Sequence, residues 1–222
     1  MSTLGREDTR KIEVFLASHP RLAVGLGHVD KPCSVAAINL ALTGELTDRI
    51  PDCMSEVVGA WIIDVQDVMP AVVRNSARWR RLLPQAAGTG RDHEKERLNV
   101  ILDWMWDTVL PLAQSRADEH SLGNEWRKMS VDRTKEAAII ASRVAGVVLQ
   151  DEPVAVAATA AAQAFRALEF AETGLLRLAA SHAVYCAIEI ATLFPFSIRD
   201  EYWKTLDPAG LLKRLIKIGE QE

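Results

Sequence analysis

Five arginines crowd an 18-residue window, 74–91, that contains no acidic residue: Arg74, Arg78, Arg80, Arg81 and Arg91. At about 100° per residue, Arg74, Arg78 and Arg81 share one helix face while Trp79, Leu82 and Leu83 share another. Guanidinium forks spaced in this way can grip a phosphate or carboxylate bidentately. The segment Ala86-Ala87-Gly88-Thr89-Gly90-Arg91 follows and leads into a helix, where backbone N–H groups could add donors for an anion. It lacks the strand, the spacing and the Lys-Ser/Thr of a P-loop. The plainer reading is a solvated helix face that ends in a Gly-Thr-Gly turn.

Carboxylates form the second constellation. Asp64 and Asp67 are three apart, and Asp103 and Asp107 four apart, with Glu96 and Asn99 extending that stripe upstream. Facing helices that bear acids can hold Mg²⁺ or a two-metal centre, but the di-iron pattern needs Glu-x-x-His pairs that the chain lacks. The string His93-Glu94-Lys95-Glu96-Arg97 approaches the zinc-protease His-Glu-x-x-His and departs from it at Arg97, where the second histidine must stand. These acids read as solvent-facing stripes, and neither a metal nor another cofactor is implied.

Cys33 and Cys53 each open a helix, a position that lowers a thiol's pKa and favours nucleophilic chemistry. A triad needs a histidine as well, and His28 is the one nearby in sequence. The alternative is two small buried residues packing where helices meet. Cys186 belongs to a core, and His182, one turn earlier, reads as partly buried with a local partner. Trp104 and Trp106 cannot both face the stripe of Leu98, Ile101 and Met105. One of them must point into a second helix layer, a pocket or a partner.

The elements that would position these groups are helical. Segment 10–18 stops at His19-Pro20. Ser34 caps a helix that runs to Leu42 and ends at Gly44. Asp52 or Ser55 starts the next, with Val57, Val58, Trp61, Ile62 and Val65 on one face, and Met69-Pro70 breaks it. Ser76 caps a helix carrying Trp79, Leu82 and Leu83. Asp92 opens another, with Leu98, Ile101, Leu102, Met105, Val109 and Leu112 as its buried stripe, which Pro111 ends or kinks. A polar link over 115–122 leads to a helix over 124–150. Pro153 suits the first turn of the next. From 154 to 193, 14 of 40 residues are alanine, which reads as a tightly packed hairpin interrupted at Gly174. A last amphipathic helix spans 208–219. No alternating run predicts a strand. The expectation is one all-α domain over 1–222, about eight helices in a compact bundle with an Ala-rich C-terminal half.

Hydrophobic residues at 49%, charged residues at 25% and a net charge of −4 are ordinary globular values. They argue against a generally polybasic, nucleic-acid- or membrane-binding chain. The N-terminal stretch has no signal-peptide pattern, three widely spaced cysteines make no disulfide framework, and Gln163 and Arg166 interrupt the longest apolar run. A cytoplasmic location is the expectation. Residues 33–91 resemble a group of uncharacterised bacterial proteins through Cys33, Leu42-Thr43-Gly44-Glu45, Thr47-Asp48, Pro51, Cys53, Met69-Pro70 and Gly88-Thr89, a likeness that implies no activity.

No catalytic constellation is complete. The expectation is therefore an interaction or regulatory protein that binds a protein partner or self-associates as a homo-oligomer. An enzyme or small-ligand binder with a polar site among Glu45, Asp48, Asp67, Arg74 and Arg91 is the alternative. A nucleic-acid-associated protein using the 74–91 face is a third. The ligand- or anion-binding candidates are Asp67, Arg74, Arg78, Arg81 and Arg91. Asp67 and Arg74 flank the Met69-Pro70 break and are expected to be partly buried and paired, on the side of Cys33 and His28.

Overall fold

Side-chain caps and chain breakers set most of the helix boundaries in this computed structural model, which describes residues 4–147 and 152–219. Helix α1 (Arg6–Ser18) ends before Pro20. A small hairpin follows, β1 (Gly27–His28) antiparallel to β2 (Lys31–Pro32). Helix α2 (Ser34–Thr43) ends at Gly44, α3 (Glu56–Val68) is capped by the Ser55 hydroxyl, and α4 (Ala71–Arg74) follows Pro70. Helix α5 (Ala77–Ala87) starts from the Ser76 hydroxyl. Then come α6 (Glu94–Trp104), α7 (Gln114–Glu119), α8 (Gly123–Asp132), α9 (Lys135–Val147), α10 (Glu152–Glu172), α11 (Leu176–Thr192), α12 (Arg199–Leu206) and α13 (Pro208–Lys217). The chain is all-α and 74% helical.

Contacts gather into two compact units, one formed by Met1–Arg97 with Asp207–Glu222 and the other by Leu98–Leu206. In the first, Trp61 of α3 and Trp79 of α5 meet with ring centroids 6.0 Å apart. Ile38, Val58, Ile62, Leu83 and Leu212 are buried in the same unit. The apolar face expected of α3 is buried throughout.

In the second unit, the stripe Leu98, Ile101, Leu102, Met105 and Val109 is buried. Pro111 cannot donate to the Asp107 carbonyl and its ring crowds that turn. The helix widens into a π segment, Met105–Val109, in which Leu110 N–H reaches the Met105 carbonyl, and then tightens into a 3-10 turn, Leu110–Ala113. Gln114 N–H bonds Pro111, and the Leu110 carbonyl accepts the Trp126 indole at 3.0 Å. Trp104 and Trp106 are both buried, and Trp104 donates to the Leu206 carbonyl at 2.9 Å. Neither indole is left over as apolar surface for a partner. Alanines line the α10–α11 contact, with Ala160, Ala164, Ala167, Ala180, Ala183 and Ala187 fully buried, so the two helices approach closely. Over Val154–Glu172, α10 is long and apolar enough to cross a membrane by length and composition alone. It packs against α9 and α11, with 33% of that window buried.

Four local expectations need correction. The cap of α2 is Cys33, whose Sγ accepts from Ala36 N–H at 3.3 Å, while Ser34 is already helical. The polar link at 115–122 contains α7. The single helix expected from 124 is two helices, because Arg133 turns left-handed (φ 53°) and Thr134 restarts the chain by capping Ala137; the expected end at Gln150 lies outside the described residues. A strand pair exists where none was expected, too short to show periodicity.

Candidate functional site

Proline 70 ends α3 and leaves the carbonyls of its last turn without successors. Arg74 folds back from α4 to fill that role. Its Nη1 donates to the Gln66 carbonyl at 2.9 Å and the Met69 carbonyl at 3.0 Å, and its Nε to the Leu22 carbonyl at 3.3 Å. A cation at a helix C-terminus also meets the negative end of the dipole. Arg74 is buried; desolvation pulls its pKa down and Asp67 partly offsets this.

Asp67 works on the same loop from the other side. Its Oδ1 accepts from Gly25 N–H at 2.9 Å and from Gln66 Nε2 at 3.0 Å, and Gln66 Oε1 accepts from Ser34 N–H at 2.7 Å. Asn75 Oδ1 accepts from Leu22 N–H at 2.6 Å. Two backbone bonds, Ala23 N–H to Pro32 and Cys33 N–H to Leu26, close the loop on itself. Gly27 permits the hairpin: at φ +74° a Cβ would lie 2.3 Å from the Lys31 carbonyl oxygen. Loop 22–32 is therefore clamped by Asp67, Arg74 and Asn75, and Gln66 ties Asp67 to the start of α2. Leu22 and Ala23 are buried, while Val24 at 55%, Leu26 at 38% and Val29 at 55% are exposed, and the clamping segments carry the exposed Val68 and Val72.

No protein family, curated protein or solved structure matches the chain.

The other candidates do not converge on this cluster. Asn75 and Ser76 interrupt the helix, so Arg74 does not share a face with Arg78 and Arg81. Arg78 is exposed and forms a two-pronged pair with Asp207, at 2.5 and 3.0 Å. Arg81 is exposed and donates Nε to the Ala77 carbonyl of its own helix. Arg91 pairs with Glu56 at 2.7 Å. The amides of Gly88, Thr89 and Gly90 are taken by the carbonyls of Gln85, Ala86 and Cys53, so the Gly-Thr-Gly turn offers an anion none of these three donors. Glu45 and Asp48 are exposed beside a loop that Asn39 holds through the Thr47 and Arg49 carbonyls.

A second polar hub lies in the string that departs from the zinc-protease pattern. Glu94 accepts from Ser55 Oγ at 2.5 Å, Glu56 N–H at 2.7 Å and Val57 N–H at 3.1 Å, so its carboxylate sits on the N-terminus of α3. Arg97, 1% exposed, donates to the carbonyls of Thr89, Gly90, Asp92, Leu215 and Ile218. Among the described residues no three His, Cys, Asp or Glu side chains gather as a metal site requires. Asp103 and Asp107 both face Arg133.

The three thiols are buried and free, and burial pushes the pKa of each upward. That is the reverse of an activated nucleophile. His182 bonds Gln163 of α10 at 2.6 Å across the hairpin, a partner distant in sequence rather than local. Gln66, Asn75, Glu94 and Arg97 escape sequence reasoning as a group. The signal they carry is position: each is a polar residue set into or beside an apolar helix face where a solvated stripe has no reason to run.

Proposed function

We propose that this chain is a non-catalytic interaction protein whose contact surface is loop 22–32. The observation that carries the reading is the contrast between the loop's two sides. Inward, its backbone is held by a buried guanidinium, a carboxylate and one side-chain amide. Outward, Val24, Leu26 and Val29 stand exposed. A mobile loop would fold such side chains against the body of the protein. This one is not free to do so, and a rigid apolar surface binds a protein partner without spending ordering entropy. The raised thiol pKa values and the separate engagement of Arg74, Arg78 and Arg91 favour binding over catalysis and over a nucleic-acid face.

The test is a photo-crosslinking amino acid at Val29 in the producing cell, with the same group at the exposed Lys213 as the control. Discrete adducts from position 29 that position 213 does not give, to a second copy or to another protein, are the expected result. Indistinguishable patterns from the two positions overturn the reading.

A further inference from the structure

Burial lowers the pKa of three arginines of the first unit, and for two of them nearby acids offset part of the effect. Arg74 has Asp67; Arg97 has Glu94, Asp92 and Glu96. Arg80 has none. Desolvation is the one influence on its pKa, which it lowers, and its Nη1 is buried with no hydrogen-bond partner. Its Nη2 donates to the Leu16 carbonyl of α1. A half-buried charge with no paired carboxylate is costly, so an occupant that supplies an opposite charge gains from it.

Arg80 lines a cavity of about 330 Å³ between α1 and α5. Leu16, Ala17 and Pro84 give it apolar walls, and Arg80, Arg81 and Glu13 are its charged groups. Arg81 uses Nε on its own helix and keeps its two terminal nitrogens for other acceptors. The volume lies at the low end of small-molecule pockets, roughly 300–1,000 Å³. Two guanidinium groups against one carboxylate leave a single positive charge. That balance suits a monoanion and opposes a phosphate dianion or a polyanion.

We propose that the α1–α5 cavity binds a small monocarboxylate with an apolar body, its carboxylate against Arg80 and Arg81 and its body against Leu16, Ala17 and Pro84. This site shares no lining residue with loop 22–32, and it stands or falls independently of the interaction reading. Arg81 supplies the reachable, bidentate grip. Arg80 supplies charge in a less solvated place, where it acts more strongly.

Calorimetric titration of the full chain with octanoate, 1-octanol and inorganic phosphate tests the proposal. Octanoate is expected to saturate one site, octanol to bind at least about ten-fold more weakly, and phosphate not to compete. Arg81→Gln, at an exposed position, should weaken octanoate about ten-fold, the loss of one charge-assisted contact. Arg80→Met should abolish saturable binding; should that variant not fold, Arg81→Gln decides alone. Octanol binding as tightly as octanoate marks a mere apolar crevice and overturns the proposal. Phosphate binding as tightly marks a general anion site and overturns it too. So does octanoate binding that is absent or is unchanged in Arg81→Gln.

Discussion

Glu94 and Arg97, one turn apart on α6, serve opposite ends of two other helices. The carboxylate of Glu94 takes the free N–H groups at the start of α3, and the guanidinium of Arg97 takes the carbonyls of Leu215 and Ile218 at the end of α13. Each charge meets the helix end of opposite partial charge. Stability is the first expectation. Glu94→Ala should cost about 1–2 kcal/mol, a lost cap. Arg97→Met should cost roughly 3 kcal/mol or more, because five carbonyls lose their donor inside the protein. Urea denaturation measures both. A smaller loss for Arg97→Met than for Glu94→Ala would contradict the assignment.

Arg74 and Asp67 hold one loop without forming a pair. Arg74→Met should destabilise by roughly 3 kcal/mol, since it strips the end of α3 and the Leu22 carbonyl together. Asp67→Ala should cost only about 1 kcal/mol, its bond to Gly25 being at the surface. Its effect should be local: amide exchange at Gly25 should quicken while amides inside α3 keep their protection. Uniform acceleration across both would show that Asp67 supports the fold rather than the loop.

His182 carries a pH expectation. Burial, and secondarily Arg166, hold its pKa below the ordinary imidazole value. The unfolded chain therefore takes up the proton first. The contribution of His182 is fully present above the unfolded value of about 6.5 and is lost as pH falls through the folded one. His182→Phe should remove this component. Denaturation of wild type and variant between neutral and mildly acidic pH should give curves that diverge toward acid, and parallel curves would count against it.

The thiols give the opposite sign. Desolvation raises the pKa of Cys33, Cys53 and Cys186. Their contribution is intact below the unfolded thiol range and fades as alkaline pH ionises the unfolded chain first. The native protein should react slowly with a thiol reagent at neutral pH, with all three cysteines titrating on unfolding. Rapid modification of Cys33 in the folded state would reopen the nucleophilic reading.

Local signals account for what was legible in advance. Ser55, Ser76, Gly44, Gly174 and the Met69-Pro70 break announce themselves within a few residues, and α3, α5 and the Ala-rich hairpin fall where they point. The departures depend on distant partners. Arg133 leaves the helix where Asp103 and Asp107 receive its charge. The segment that carries the hairpin is tied at Leu22, Gly25 and Ser34 to Asn75, Arg74, Asp67 and Gln66, more than thirty positions downstream. Arg74 looked like one member of a basic stripe because its spacing fits, but Asn75-Ser76 ends one helix and starts another. The position of a charge was readable, and its destination was not.

The Arg97 clasp also bears on the order in which this protein is made. Leu215 and Ile218 belong to the first unit, yet translation reaches them only after the whole of the second has been synthesised. While the ribosome works through 98–206, the first unit lacks α13, and the guanidinium of Arg97 waits with two of its five acceptors unmade. The second unit is continuous and completes from neighbouring helices, so vectorial synthesis lets it finish first. The long-range closure by α13 comes last, and the nascent chain carries exposed apolar surface on α3 and α5 until then, the interval in which a chaperone has something to hold.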